Sequence, residues 1–498
     1  MCGRILVKNM LLDYVLQNTN EYIKRMPKEL RKKYGQFFTS KETAVFMADM
    51  FDVSVGKCVI SILDAGAGSG ILATALIDRL HGVFGISKIM LVCYENDPNI
   101  IELLKSNLEW VCANSKVLIE YELRTENYIV SQAEDYNKPC ANKYDLIIGN
   151  PPYMKVAKDA PEALVMSDVC YGAPNLYFLF ASMGISNLEN DGEMVYVIPR
   201  SWTSGAYFKK FREKLLSECA IKQIHLFESR DKVFDNEKVL QETLILKVQK
   251  SKIRPQNIII TSTKSNKDFK NISTISVPYN VVVSDKESYV YLATNAEEIN
   301  ILQTLNQLED TLPSLGLKMK TGLTVDFRSR ELLRDTPETE TVPLFYSQHI
   351  QDGKVKFPIG RDKEYLVAQD NGLLQPNVNY LFVKRFTTKE EKRRLQCGIY
   401  LAKFFPSYTS ISTQNKINFI SGLQNLSICV VFGLYVIFNS TIYDRYYRIL
   451  NGSTQVNSTE INSIPMPPVD TIEAMGRTLI DAHDLSVDNC DQILRRYL

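Results

Sequence analysis

The feature that most narrows the fold is a regular alternation over the first 250 residues. Short apolar runs at 58–63, 89–94, 117–121, 145–148, 193–198, 221–227 and 242–248 read as strands. Amphipathic stretches at 41–51, 71–80, 100–113, 176–187 and 206–216 read as helices between most of them. Two parallel strands can only be joined by a long crossover, and a helix is the usual way to build one. The alternation therefore predicts an open, mostly parallel sheet of seven strands with helices on both faces. Such sheets bind ligands just beyond the carboxyl ends of their strands, so residues at those ends carry the functional weight.

From about residue 250 the texture changes. Short β-like runs at 257–261, 273–277 and 289–292 lead to a helical stretch at 296–308, then to a less regular half rich in Asn, Thr and aromatic residues. The expected organisation is a basic helical segment over 1–30, an α/β domain over 31–250, a connecting segment over 251–300 and an α+β second domain over 301–498.

Two strand ends stand out. The run Ile60-Ser61-Ile62-Leu63-Asp64-Ala65-Gly66-Ala67-Gly68-Ser69-Gly70 is an apolar strand entering a glycine-rich turn and then a helix. Glycines there let a ligand approach the backbone closely. The turn alone could serve NAD, FAD, S-adenosylmethionine or nothing but a tight bend. Asp64, just before it, suits the cationic amino group of a methionine moiety. Glu95, ending the next apolar strand, can take both hydroxyls of a ribose.

The second strand end is Asp145-Leu146-Ile147-Ile148-Gly149 followed by Asn150-Pro151-Pro152-Tyr153. Two prolines cannot continue a central strand, so the chain leaves the sheet at its carboxyl end. These residue types suit methylation of an aromatic amine, a poor nucleophile because its lone pair is delocalised into the ring. The Asn150 side-chain oxygen and the Pro151 carbonyl oxygen can each accept one amine hydrogen and aim the lone pair at a methyl carbon. Pro152 helps fix that carbonyl, and Tyr153 offers a face on which a base can stack. Positioning, not acid–base chemistry, would then do most of the work.

With these motifs in this order, the chain resembles the γ-class adenine-N6 DNA methyltransferases, the TaqI-like group. Tyr34-Gly35-Gln36-Phe37-Phe38-Thr39 resembles their N-terminal motif. The resemblance implies a Rossmann-like class I methyltransferase domain with S-adenosylmethionine as cofactor, held by Thr39, Asp64, Gly66, Gly68, Gly70, Glu95 and Asn127. At Asn127 the family usually has an aspartate that reads the cofactor adenine. It implies Asn150, Pro151, Pro152 and Tyr153 as the catalytic set. The target base would be flipped out of double-stranded DNA and held between Tyr153 and a second aromatic. Phe234 matches that second position best, with Phe227 as the fallback.

Stretches of the second half resemble the recognition part of the BsuBI/PstI-like modification enzymes, namely 321–328, 383–394, 438–441 and 452–457. This implies a DNA target-recognition domain with Lys384, Arg385, Arg393, Arg394, Gln455 and Asn457 as DNA-contacting residues. Arg and Lys suit phosphates; Arg, Asn and Gln suit base edges. Because the formal net charge is only +1, nucleic-acid affinity must come from local clusters of this kind. A partner endonuclease acting on the same site and a monomeric state are further expectations.

Other classes are disfavoured. The ten cysteines include no C-x-x-C, which argues against a disulfide framework and for a reducing cytoplasm. Four scattered histidines offer no metal-ligand spacing, so no metal is expected. The longest apolar run, 428–438, falls well short of the roughly 20 residues of a membrane span. The rival readings are an RNA or protein-glutamine methyltransferase using the same chemistry, cytosine-N4 methylation, and a non-catalytic nucleic-acid-binding subunit.

Overall fold

A computed structural model of the chain describes residues 10–26, 38–53, 56–138, 143–172, 174–227, 242–369, 371–388 and 390–498. The chain divides into two compact units, Met1–Thr294 and Asn295–Leu498.

The strands of the first unit are β1 Val59–Ala65, β2 Lys88–Tyr94, β3 Leu118–Arg124, β4 Tyr144–Gly149, β5 Leu188–Pro199, β6 Ala220–Phe227, β7 Thr243–Gln249, β8 Asn257–Thr263 and β9 Ser273–Pro278. They form one sheet in the order β3-β2-β1-β4-β5-β7-β6-β8-β9. The pairings from β3 to β5 are all parallel, whereas β7 lies antiparallel to both β5 and β6. Seven of these strands make the predicted sheet. The stretch 251–300, expected as a connector, adds β8 and β9 to it. The reason is that β7 returns inside β6 and leaves β6 at an edge. Pairing β8 parallel to β6, with Ile258 and Ile260 buried, covers that edge.

The helices of this unit are α1 Met10–Arg25, α2 Lys41–Asp49, α3 Ile71–Leu80, α4 Pro98–Asn114, α5 Pro161–Val165, α6 Leu176–Asn187, α7 Lys209–Glu218 and α8 Tyr279–Val282. Their starts follow ordinary capping chemistry. The Ser40 and Asn175 side chains accept backbone N–H bonds from Thr43 and Tyr177, and Asp97 accepts from Asn99 with Pro98 in the first turn. Strand alternation then sorts β5 between two layers. Val195 and Val197 join a core with Ile60, Ile62, Met47 and Leu76. Met194 and Tyr196 face α6, where Gly184 makes room: a β-carbon there would stand 2.9 Å from Met194 Sδ. The first helix is docked as well. The Leu12 N–H donates to Asp78 Oδ2 at 3.0 Å, and Tyr14 stacks on Trp110 with 3.8 Å between centroids.

The second unit is α+β. Its strands are β10 Leu317–Thr321, β11 Leu333–Arg334, β12 Thr341–Phe345, β13 Ile350–Gln351, β14 Lys354–Val355, β15 Tyr365–Val367, β16 Gln375–Pro376, β17 Tyr380–Lys384, β18 Cys397–Tyr400, β19 Ser410–Thr413 and β20 Ile417–Gly422. They form two sheets, ordered β10-β20-β17-β18-β14-β13 and β11-β15-β12-β19-β16. The helices are α9 Ala296–Leu305, α10 Ile428–Asn439, α11 Thr441–Leu450, α12 Ser458–Asn462, α13 Val469–Ala482 and α14 Val487–Leu494. The apolar run 428–438 is α10, whose Val431, Leu434, Val436 and Ile437 are fully buried in this unit. Among the described residues no single helix is long and apolar enough to cross a membrane.

Helices α10 and α13 touch backbone to backbone. A β-carbon at Gly433 would stand 1.8 Å from the Ile472 carbonyl oxygen, and one at Gly476 would stand 1.8 Å from that of Cys429. No side-chain rotation relieves such a clash, so the helices must separate. Gly476→Ala is therefore expected to destabilise the protein by at least the roughly 1–3 kcal/mol of ordinary overpacking. Urea unfolding of the full chain measures this, and a wild-type midpoint would contradict the close crossing.

Candidate active site

The sheet order sets the carboxyl ends of β3, β2, β1 and β4 side by side, with the chain reversing direction across the sheet between β1 and β4. A cavity of about 370 Å³ lies over these ends. Each strand supplies part of its wall: Gly66 and Gly68 after β1, Glu95 after β2, Asn127 after β3, and Asn150 and Pro152 after β4.

The glycine turn is built by backbone geometry. Gly66, Gly68 and Gly70 have φ of 75°, 57° and 87°, the left-handed region that side chains disfavour. The Gly66 and Ala67 N–H groups both donate to the Tyr94 carbonyl at the end of β2, at 2.8 and 2.9 Å. The Gly68 N–H donates to Glu95 Oε2 at 2.8 Å, while Glu95 Oε1 accepts from the Asp97 N–H at 2.9 Å. Burial pushes the Glu95 carboxyl upward, and those two N–H bonds draw it back. Gly70 is off the wall. It begins α3, and a β-carbon there would stand 3.1 Å from Leu104 Cδ1.

Asp64 also lies behind the wall, at 1% exposure. Its Oδ2 accepts from the Ala73 N–H at 3.1 Å, in the first turn of a helix that has no side-chain cap. Its Oδ1 is buried, with no hydrogen-bond partner among the described residues. Burial raises its pKa to about 7, with the Ala73 bond opposing the rise and the nearby Glu95 charge adding to it.

At the end of β4 the asparagine is held from two sides. Asn150 Nδ2 donates to Thr39 Oγ1 at 3.3 Å, so Thr39 touches Asn150 and does not line the cavity. The Tyr153 hydroxyl lies 2.9 Å from Asn150 Oδ1 and 2.9 Å from the Val197 carbonyl. A phenol has one proton, so it donates to one of these at a time. Burial, with Tyr177 nearby, keeps the Tyr153 phenol well above its ordinary pKa and therefore neutral. Pro151 is buried and Pro152 reaches the wall. Gly149 is required for packing, because a β-carbon would stand 2.7 Å from the Tyr196 ring.

Asn127 lines the cavity, but its side chain is engaged locally. Its Oδ1 accepts from the Ile129 and Val130 N–H groups, both at 3.1 Å, and its Nδ2 donates to Glu162 Oε1 at 2.7 Å. Glu162, Phe38 and Phe180 also line the cavity, and none of them was singled out by sequence reasoning. Phe38 sits inside the Tyr34–Thr39 motif, which was the available signal for it. Phe180 packs against Tyr128 at 5.2 Å between centroids, from a helix buried almost all round.

Phe234 lies outside the described residues. Phe227 is 7% exposed and packs against His225 and Phe269 with centroids 4.8 and 6.2 Å away. Among the described residues no cluster of three or more His, Cys, Asp or Glu side chains is arranged to hold a metal.

The six expected DNA-contacting residues fall in the second unit with different surroundings. Lys384 and Arg385 are half-buried, and the Arg385 guanidinium donates to the Asn415 carbonyl at 3.0 Å and to Gln455 Oε1 at 3.3 Å. Arg393 donates to the Ser440 carbonyl at 2.8 Å. Asn457 donates from its side chain to Glu460 Oε2 at 3.3 Å. Arg394 requires a correction. It is fully buried, donates to Thr387 Oγ1 at 3.2 Å and lies over the Tyr447 ring, so it is a core residue that no phosphate reaches.

The chain is 32% identical to the type II methyltransferase M.PstI of Providencia stuartii, over 98% of this chain and 97% of that protein. It is also 32% identical to the type II methyltransferase M.BsuBI of Bacillus subtilis, over 93% and 92%. The family model for the Eco57I restriction-modification methylase matches residues 78–234. Among solved structures, the type IIL restriction-modification enzyme MmeI in complex with DNA aligns over 96% of this chain and 70% of its own, with a TM-score of 0.53. Sequence identity is 13%, so that likeness concerns the fold alone.

Asp64 makes a testable link between site and stability. Its folded-state pKa of about 7 exceeds the ordinary 3.8. The folded protein therefore holds a proton that the unfolded chain gives up, and stability from this group is lost as pH rises from about 4 through 7. In ligand-free protein, Asp64→Asn should gain stability relative to wild type by a few kcal/mol between pH 5 and pH 8. Urea unfolding at both pH values reads the difference. An equal gap at both would mean that Asp64 ionises without penalty.

Proposed function

The chain belongs to the type II restriction-modification methyltransferases of the PstI and BsuBI kind, and from that premise we propose that it methylates the N6 amine of an adenine flipped out of double-stranded DNA at a specific site. It is a DNA methyltransferase, and its methyl donor is S-adenosylmethionine.

The residues present fit that cofactor. Gly66 and Gly68 form a cradle at the cavity wall, and a β-carbon at Gly66 would close it to 3.6 Å from the Phe180 ring. Glu95 is suited to ribose hydroxyls, and the carboxylate of Asp64, whose Oδ1 has no hydrogen-bond partner among the described residues, adds negative charge behind the turn that favours a cationic amino group in front of it. When bound, S-adenosylmethionine supplies a sulfonium methyl, an electrophile that needs no further activation.

What the protein adds is orientation of the nucleophile. The observation that carries the reading is Asn150 on the wall of the same cavity as the glycine turn, held by Thr39 and Tyr153. Asn150 Oδ1 and the Pro151 carbonyl oxygen each accept one hydrogen of the amine, which moves lone-pair density from the ring to the nitrogen. As the nitrogen gains the methyl carbon it becomes cationic, its hydrogens become better donors, and both bonds strengthen. Such differential stabilisation lowers the barrier. One hydrogen then leaves as a proton to solvent. Tyr153 stacks the base and keeps Asn150 in its rotamer.

Target recognition is assigned to the second unit, with Lys384 and Arg385 nearest to a charged surface role and Gln455 beside them. The enzyme would act as a monomer that protects sites from a companion endonuclease.

The reading predicts N6-methyladenine in DNA from cells expressing the protein, by mass spectrometry of nucleosides, in one sequence context by single-molecule sequencing. N4-methylcytosine, or unmodified DNA, would overturn it. Asn150→Ala should lower kcat by about 10²–10³-fold, the usual effect of losing one charge-stabilising hydrogen bond. Cofactor affinity, by calorimetry, should stay near wild type; near-normal turnover would remove Asn150 from the mechanism. Arg385→Ala should weaken specific DNA binding by about 1–3 kcal/mol if it reads a base. Unchanged binding at several salt concentrations would take it out of the interface.

A further inference from the structure

Resting on the cofactor reading above, the order of the strand ends fixes which part of the cofactor lies where. Across the cavity that order is β4, β1, β2, β3. The methyl-bearing end must reach Asn150 after β4, and Glu95 after β2 is the carboxylate for the ribose. The adenine ring therefore lies at the β3 end, where Asn127 and Glu162 form the wall.

An exocyclic amine needs an acceptor there. Asn127 cannot supply one, because its Oδ1 already accepts two backbone N–H bonds and its Nδ2 donates to Glu162. Each oxygen of Glu95 accepts one backbone N–H, from Gly68 and Asp97, and its remaining lone pairs serve the ribose at the β2 end. Glu126 borders the cavity, but it is exposed to solvent and no hydrogen bond from a described residue orients it toward the site. Glu162 is different. It is half-buried at the start of α5, its Oε1 is pinned by Asn127, and no hydrogen bond from a described residue reaches its Oε2. A carboxylate fixed by one oxygen presents the other as a preorganised acceptor.

We propose that Glu162, oriented by Asn127, accepts the hydrogen bond from the exocyclic amine of the cofactor's adenine and gives the site its preference for adenine over a 6-oxo purine. Asn127 acts as a positioning residue in this arrangement. A 6-oxo purine would bring a carbonyl oxygen against the carboxylate, a repulsive pair of acceptors.

The test is calorimetric binding of S-adenosylhomocysteine and S-inosylhomocysteine to the full-length protein, its Glu162→Gln variant and its Glu162→Ala variant. Wild type should favour the adenosyl ligand by about tenfold or more, the ratio set by about 1.4 kcal/mol. In Glu162→Gln the carboxamide can turn a donor toward the purine, so the adenosyl ligand should weaken and the inosyl ligand should hold or tighten. Glu162→Ala should bind the two alike, and it decides the matter if the Gln variant fails to fold. A purely structural role for Glu162 would weaken both ligands equally. An unchanged ratio in a folded variant, or a wild type that does not discriminate, overturns the inference and leaves the cofactor reading intact. Failure of S-adenosylhomocysteine to bind wild type overturns both, whereas failure of the inosyl ligand alone is the expected discrimination at its strongest.

Discussion

The site depends on the register of three parallel strands. β1 pairs with β2 so that Ala65 faces Tyr94, and with β4 so that Asp64 faces Ile148. Continued by one or two residues, that register sets Gly66, Glu95 and Asn150 at one level beyond the sheet. A slip of a single residue would swap every side chain of β1 between the two faces and take Ile60 and Ile62 out of the layer in which they pack. Core packing therefore fixes the relative heights of the glycine turn, the carboxylate and the carboxamide. The turn is tied in further by the N–H groups of Gly66 and Ala67 on the Tyr94 carbonyl, which bind β1's exit directly to β2's.

Helix packing completes what the strands begin. Glycines at 149 and 184 leave room for Tyr196 between β4 and α6, and Phe180 of α6 borders the cavity. Thr39 arrives just ahead of α2, whose start Ser40 caps, and meets Asn150 from the side opposite Tyr153. The side chains nearest the proposed chemistry are thus positioned by residues that bind no ligand.

The sequence revealed the parts of this arrangement that are local. Strand–helix alternation marked β1 to β7 because each element buries its own periodic face, and the glycine turn and Asn150-Pro151-Pro152-Tyr153 are contiguous. What it hid is non-local. Glu162 reaches the cavity only because the chain after Tyr153 folds back toward β3, and nothing in Pro161-Glu162 announces that. The added strands β8 and β9 follow from an edge that exists only once β7 has inserted between β5 and β6. The basic run near 384–394 misled in part, since charge alone cannot show that Thr387 and Tyr447 enclose Arg394 while Lys384 and Arg385 stay accessible.

The single proton of the Tyr153 hydroxyl, placed between two carbonyl-type oxygens, acts as a placeholder. Pointed at Asn150, it gives the side-chain oxygen a donor. Rotation about one C–O bond would point that proton at the Val197 carbonyl instead and, in the proposed chemistry, turn the Asn150 oxygen to an incoming group. The exchange is nearly even in hydrogen bonds only when the newcomer brings a donor of its own. In the proposed chemistry a base presenting a carbonyl edge would leave oxygen facing oxygen, and the same contact would then act as a check on the polarity of whatever enters.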